Sequence, residues 1–283
     1  MCLTCGCSDD AHVTITNSQT EKINLVETEK NTPHTHTLSD GTTITHSHRG
    51  QSHVLSPSNV SQIHAQMHGR KINLEQDILK KNNLIAAQNR HWFQARSILA
   101  LNLVSSPGSG KTTLLTRTIE DLKAEISFSV IEGDQETIND AQKIRATGCK
   151  VVQINTGTGC HLEANMIQKG YQDLEPPSNS IVAIENVGNL VCPALFDLGE
   201  YAKVAILSVT EGDDKPIKYP HMFRASKVML LTKIDLLPYV QFNVDRCLEY
   251  ARQVNPMLII FQVSTVTGNG LNNWYKWLKT QSH

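Results

Sequence analysis

From residue 99 onward, short apolar runs recur at 99–104, 127–133, 150–155, 180–186, 203–209, 227–232 and 258–263. Each has the length of a strand, and segments of helical character separate them. The runs are largely apolar. This rhythm predicts an α/β fold with a mostly parallel sheet and helices on both faces. Upstream the pattern changes. Residues 8 to about 70 are poor in apolar side chains and rich in Thr, Ser, Asn and His. They hold too little apolar surface to fold alone, so residues 8–70 are expected to be a flexible, His-containing linker. A helix is expected from Asn73, with Asn73 as N-cap and Gln76 as its capping-box partner. Leu74, Ile78, Ile85 and Trp92 recur along one face of it and suit packing on the following domain or a second subunit. The expected plan is a short cysteine motif at 1–7, the linker at 8–70, and an α/β domain with its leading helix at 71–283.

Composition narrows the partners. A net charge of −1 argues against a nucleic-acid binder that works by bulk charge. No apolar run approaches the length of a membrane span. The opening Met1-Cys2-Leu3-Thr4-Cys5 lacks a basic-then-apolar leader, so the cytoplasm, where thiols stay reduced, is the expected location. Three of the seven cysteines, Cys2, Cys5 and Cys7, crowd into the first seven residues, which points to metal ligation rather than a disulfide framework. Gly6 lets Cys5 and Cys7 face the same way, and trimming of Met1 would add an amine donor. Such donors suit square-planar Ni(II) or tetrahedral Zn(II). Eight of the twelve histidines lie between His12 and His68. The pairs His34/His36 and His46/His48 suit loose chelation of a borderline metal, or a plain solvated spacer.

The first strand-like run is followed by Ser105-Ser106-Pro107-Gly108-Ser109-Gly110-Lys111-Thr112-Thr113 and then by a helical segment. Strand, glycine-containing loop ending in Gly-Lys-Thr, and helix form the context of a phosphate-binding P-loop. Backbone N–H groups of Gly108 to Thr113 and the positive helix end attract phosphate. Lys111 reaches the β- and γ-phosphates and Thr112 serves Mg²⁺. Ser105 stands where a first glycine is usual. Asp134, at the end of the second strand, reads as a Mg²⁺ or water-orienting carboxylate, or as the cap of a helix beginning near Thr137. Glu185-Asn186-Val187-Gly188 resembles an acidic-x-x-Gly switch, with Glu185 serving the Mg²⁺ shell and the Gly188 N–H sensing the γ-phosphate. Thr232-Lys233-Ile234-Asp235 resembles a guanine-reading motif. The Asp235 carboxylate accepts from guanine N1–H and the exocyclic amine, groups that adenine does not present in that arrangement. Lys233 would cover the ring, and Ser264-Thr265 would support the base by backbone contact. Cys160, His161 and Cys192 fall at neighbouring strand ends and can share Zn²⁺ or Ni²⁺. Buried cysteines are also often plain small hydrophobes, and Cys149 and Cys247 are read that way.

Taken together, the C-x-x-C-G-C start, the His-containing linker, Glu-Gly-Asp-Gln-Glu-Thr, Gly-Cys-His-Leu-Glu-Ala, Glu-Asn-Val-Gly-Asn-Leu-Val-Cys-Pro and Thr-Lys-Ile-Asp resemble the HypB family. These are GTPases that help insert nickel into [NiFe]-hydrogenase, and the likeness covers essentially the whole chain. It implies a SIMIBI-class P-loop domain using GTP with Mg²⁺ and forming a homodimer with GTP. It further implies a tight Ni²⁺ site at Cys2, Cys5 and Cys7 and a weaker Ni²⁺ or Zn²⁺ site at Cys160, His161 and Cys192. The implied partners are the nickel chaperone HypA and the hydrogenase large-subunit precursor. No arginine finger stands out, so intrinsic turnover is expected to be slow. A related GTPase for urease or cobalamin enzymes, and a nickel store with a regulatory nucleotide domain, are the alternatives.

Overall fold

The computed structural model describes residues 34–37, 43–46 and 57–282 apart from 135–138 and 158, with side chains described from Gln76 onward except at 134–139 and 158. Cys2, Cys5 and Cys7 lie outside the described residues. Two compact units are present, one of them Asp10–Leu74 and the other containing Glu75–His283. In the first, β1 (His34–Thr37) pairs antiparallel with β2 (Thr43–His46), so that His34 opposes His46. Both strands fall inside the stretch expected to be a linker.

Helix α1 spans Pro57–Gln94 and corrects two expectations. It begins well before Asn73, which is an interior residue and not a cap. Residues 57–72 carry only a sparse apolar row, Val60, Ile63 and Met67, but Gln, Ala, Met, Lys and Arg are good helix formers, and proline is tolerated at a first turn. The buried face is also displaced by about one position from the expected Leu74/Ile78/Ile85/Trp92 stripe. Asn82, Ala86, Asn89 and Phe93 are buried, whereas Ile78 is exposed. Two asparagines in the buried row conceal it from any count of apolar residues.

Beyond α1 the elements run β3 (Leu99–Ser105), α2 (Lys111–Leu122), β4 (Phe128–Asp134), α3 (Asn139–Ala146), β5 (Lys150–Asn155) and α4 (Ala164–Leu174). They continue as β6 (Ile181–Glu185), α5 (Cys192–Leu195), β7 (Ala202–Ser208), α6 (Lys215–Lys218), α7 (Pro220–Ala225) and β8 (Val228–Thr232). A 3₁₀ turn (Ile234–Tyr239), α8 (Val244–Val254), β9 (Ile259–Gln262) and α9 (Leu271–Gln281) complete the chain. All seven expected strands are present. They form one sheet in the order β5-β4-β6-β3-β7-β8-β9, and every neighbouring pair is parallel.

Strand β3 sits at the centre between β6 and β7, with Leu103 opposite Glu185 on one side and Val204 on the other. Strand order reverses there, and in such sheets the crevice beyond the carboxyl ends at the reversal is the binding site. Both sheet faces are covered. Leu114, Leu115 and Ile119 of α2 pack with Trp274 and Leu278 of α9 over β3 and β7. Phe93 of α1 packs with Ile167 and Tyr171 of α4 over Ile131 and Ile184. Met222, Phe223 and Cys247 cover β7 and β8. No helix among the described residues is long and apolar enough to cross a membrane.

Candidate functional site

β3 delivers the chain into the Ser106–Gly110 loop, and α2 begins at Lys111. Gly108 (φ +76°) and Gly110 (φ +90°) take left-handed backbone that a side chain would strain. Gly110 also lies under Lys233, whose Cε would stand 3.6 Å from a Cβ placed there. Lys111 Nζ lies 3.2 Å from Glu185 Oε1, at the end of β6. The Thr112 hydroxyl lies 2.6 Å from the same oxygen and 3.1 Å from Asp140 Oδ2, in the first turn of α3. Glu185 is buried, and its Oε2 has no hydrogen-bond partner among the described residues. A buried carboxylate oxygen without a donor suits a cation. The sequence-predicted Lys111, Thr112 and Glu185 are thus brought together. Asp134 ends β4, and its side chain lies outside the described residues.

The sequence does not single out Asp140, because an acidic residue in a first helical turn reads as a complement to the helix dipole. Only the fold brings it to Thr112.

At the other end of the loop, the buried Thr232 hydroxyl donates to Ser109 O at 2.8 Å, and Lys233 Nζ donates to Gly108 O at 2.8 Å. The Thr-Lys-x-Asp segment therefore ties β8 to the P-loop backbone. Thr232 makes this tie although an asparagine is usual there. Lys233 itself is left-handed (φ +60°), which turns the chain into the 3₁₀ turn carrying Asp235. Asp235 Oδ1 is buried without a hydrogen-bond partner among the described residues, as an acceptor reserved for a ligand's N–H groups would be. Ser264-Thr265 follows β9, and Ile234 N donates to Val263 O. Arg117 of α2 donates to Thr265 O at 3.0 Å and holds this loop against the P-loop helix.

The thiol and imidazole donors of Cys160, His161 and Cys192 lie within 4.8 Å of one another. The two sulfurs are 3.0 Å apart, and Cys160 Sγ is 3.7 Å from His161 Nδ1. Burial holds the His161 imidazole below its ordinary pKa, keeping it in the neutral form that ligates metal. Its ring packs on Phe196 at 4.0 Å. Two sulfurs and an imidazole suit zinc or nickel. Cys149 and Cys247 are elsewhere; burial pushes their thiols up to about 11 and about 12, as expected of inert packing residues.

The two sites share a loop. Glu185 closes β6 at the P-loop, and a Cβ on Gly188 would lie 3.0 Å from Pro107 Cγ and 3.2 Å from Pro107 N. Four residues later Cys192 begins α5 beside Cys160. A segment pressed against the phosphate loop at one point thus ends in one of the three clustered donors.

Fold and donors together define the class: a P-loop nucleotide-binding domain in which two thiols and an imidazole, groups able to ligate a metal, are brought together. Residues 99–262 match the CobW/HypB/UreG nucleotide-binding domain family. The chain is 58% identical over 212 residues to the hydrogenase maturation factor HypB of Escherichia coli K12, covering 75% of this chain and 73% of that one. It is 46% identical to the HypB of Cupriavidus necator across 98% of this chain and 88% of the other. Among solved structures, HypB of Archaeoglobus fulgidus aligns with a TM-score of 0.68 at 35% identity, covering 72% of this chain and all of that one. HypB of Helicobacter pylori, crystallised in complex with nickel, aligns with a TM-score of 0.67 at 37% identity over 71% and 95% of the two chains. The chain belongs to the HypB family of hydrogenase maturation factors.

Proposed function

We propose that this protein is a GTP-hydrolysing nickel metallochaperone that supports nickel insertion into the [NiFe]-hydrogenase large subunit. The observation that carries this reading is the single segment Glu185–Cys192, which touches the P-loop at Gly188 and supplies Cys192 to the metal triad. Relatives named as hydrogenase maturation factors reach 58% identity, against 37% for those named as hydrogenase/urease factors, which favours hydrogenase as the destination.

Lys111 and the loop amides from Gly108 to Thr113 bind the phosphates. Asp235 selects guanine, because its carboxylate needs two donors on one base edge. Lys233 covers the base, and Ser264 and Thr265 support it. Thr112 and Glu185, with Asp140 beside them and Asp134 at the neighbouring strand end, would hold Mg²⁺. The ion would neutralise charge that develops on the phosphoryl oxygens. Lys111 shares its charge between Glu185 and the γ-phosphate, so loss of that phosphate returns it to the carboxylate. Gly188 reports the same event. The segment then loosens and alters the geometry of Cys160, His161 and Cys192, which favours release of the metal.

The remaining assignments follow the family. Nickel enters through Cys2, Cys5 and Cys7, and the inner triad holds Ni²⁺ or Zn²⁺. The chain dimerises with GTP in the cytoplasm. HypA and the hydrogenase large-subunit precursor are its partners, and intrinsic turnover is slow.

Reconstitution tests this reading. Purified full-length protein, hydrogenase precursor, maturation partners and Ni²⁺ are combined with GTP or ATP, and incorporated nickel is measured. Incorporation is expected with GTP and not with ATP, and the Cys160→Ala/Cys192→Ala protein is expected to lose it. Full nucleotide-dependent transfer by that variant contradicts the reading.

A further inference from the structure

Behind the switch segment lies a continuous buried polar chain. Lys203 Nζ, itself buried, lies 2.7 Å from Glu200 Oε1 and donates to Phe196 O at 2.9 Å. Glu200 Oε1 accepts from Asn102 Nδ2 at 3.2 Å. Asn102 Oδ1 accepts from Asn186 Nδ2 at 3.1 Å. Asn186 Oδ1 then accepts from Leu162 N at 3.3 Å and from Val187 N at 3.0 Å.

The polarity of this chain is set at one end. Lys203 can only donate, so Glu200 accepts from it and also takes the Asn102 amide N–H. Asn102 must then present its oxygen to Asn186, and Asn186 its oxygen to the two backbone N–H groups. Both ends of the chain arrive beside the metal histidine. Leu162 immediately follows Cys160-His161, and Phe196, whose carbonyl Lys203 holds, packs its ring on His161. Asn186 is also the residue next to Glu185, which accepts from the Thr112 hydroxyl.

We infer that Asn186 is the positioning residue that couples the nucleotide site to the metal triad. It is held in one amide orientation by Asn102, Glu200 and Lys203, and it hands displacement of Glu185 to the Leu162 end of the metal loop. Asn186 is neither one of the three clustered donors nor a P-loop residue. Its side chain is the hydrogen-bonded bridge from the end of β6 to the backbone that follows His161. This assignment rests on the proposed link between nucleotide and metal, and the test separates the two.

Ni²⁺ affinity is measured in full-length protein with Cys2, Cys5 and Cys7 changed to Ser, in GDP and in a non-hydrolysable GTP analogue. The same titrations on a Cys160→Ala/Cys192→Ala version subtract Ni²⁺ bound elsewhere. With Asn186 intact, the two nucleotide states are expected to differ in triad affinity by about 5- to 150-fold, the usual range for linked sites. In Asn186→Ala the triad still binds one Ni²⁺ and both nucleotides still bind, but the ratio falls below about twofold. A ratio near one with Asn186 intact overturns the nucleotide–metal link itself. An undiminished ratio in Asn186→Ala overturns only the role of Asn186. Because that variant removes a buried acceptor, amide hydrogen exchange in the unsubstituted protein provides a second reading. The Leu162 N–H is expected to exchange faster with GDP than with the GTP analogue, and equal rates overturn the assignment.

Discussion

In the proposed function, base selection turns on Asp235. Its buried Oδ1 has no donor among the described residues, and guanine offers two donors on one edge. Asp235→Asn keeps the shape and removes the charge. It is expected to weaken GTP binding about 10- to 100-fold, the loss of a charge-assisted hydrogen bond. Xanthine places an acceptor where guanine has its amine, so XTP should gain affinity in the same variant. Competition titration with GTP and XTP checks both, and unchanged GTP binding would remove Asp235 from the base site. Residues of this kind are legible in sequence, because glycine, lysine and carboxylate at set spacing around strand ends serve few purposes besides nucleotide binding. Cys160, His161 and Cys192 are legible for the same reason, their residue types being informative in themselves. Asp140 and Asn186 are not. Asp140 meets Thr112 across 28 positions and Asn186 meets Asn102 across 84, and neither spacing leaves a local signature.

Among the elements, α1 shows most clearly what patterning reveals and what it conceals. The central strands of the sheet are visible because they are buried along their whole length and mostly apolar. The packing row of α1 is not, because half of it is asparagine. Asn89 donates to Ala164 O and Leu198 O, while Asn82 donates to Asp197 O and accepts from Ala164 N. These side chains satisfy the first residue of α4 and the loop carbonyls of Asp197 and Leu198.

The contact is close at Gly199 (φ +89°), where a Cβ would lie 2.5 Å from Ala86 O and 2.6 Å from Asn89 Cβ. Gly199→Ala is expected to destabilise the domain by about 2 kcal/mol or more, through left-handed strain and the clash with helix backbone. Urea unfolding measures this, and a change under about 0.5 kcal/mol, the size of an ordinary surface substitution, would contradict it. Arg90 and Asp197 fasten the same contact, with Nη2 and Oδ1 2.7 Å apart. Burial pushes the Asp197 carboxyl up, but the Arg90 bond, the Gly199 N–H and the charges of Arg90 and Lys203 outweigh it, so its pKa lies below the usual value. A carboxylate depressed in the folded state stabilises above its unfolded pKa of about 3.9 and loses that contribution as pH falls through its folded value. Melting temperature below pH 4 should therefore fall less steeply in Asp197→Asn than in the unsubstituted protein. Parallel curves would show that the pair contributes nothing to acid sensitivity.

Across the full α/β domain, a sheet whose order reverses at β3 gathers the phosphate loop, Glu185 and the cluster of Cys160, His161 and Cys192 along one edge. Coupling between two sites is reciprocal in free energy, so metal at the triad must change nucleotide preference as much as nucleotide changes metal affinity. The direct measurement is calorimetric titration of GDP and a non-hydrolysable GTP analogue into the full-length protein, without metal and with the triad loaded with Ni²⁺. Ni²⁺ is expected to shift the ratio of the two nucleotide affinities, and the shift is expected to disappear in Cys160→Ala/Cys192→Ala. An identical ratio with and without Ni²⁺ would mean that the two sites share an edge of the sheet but no free energy.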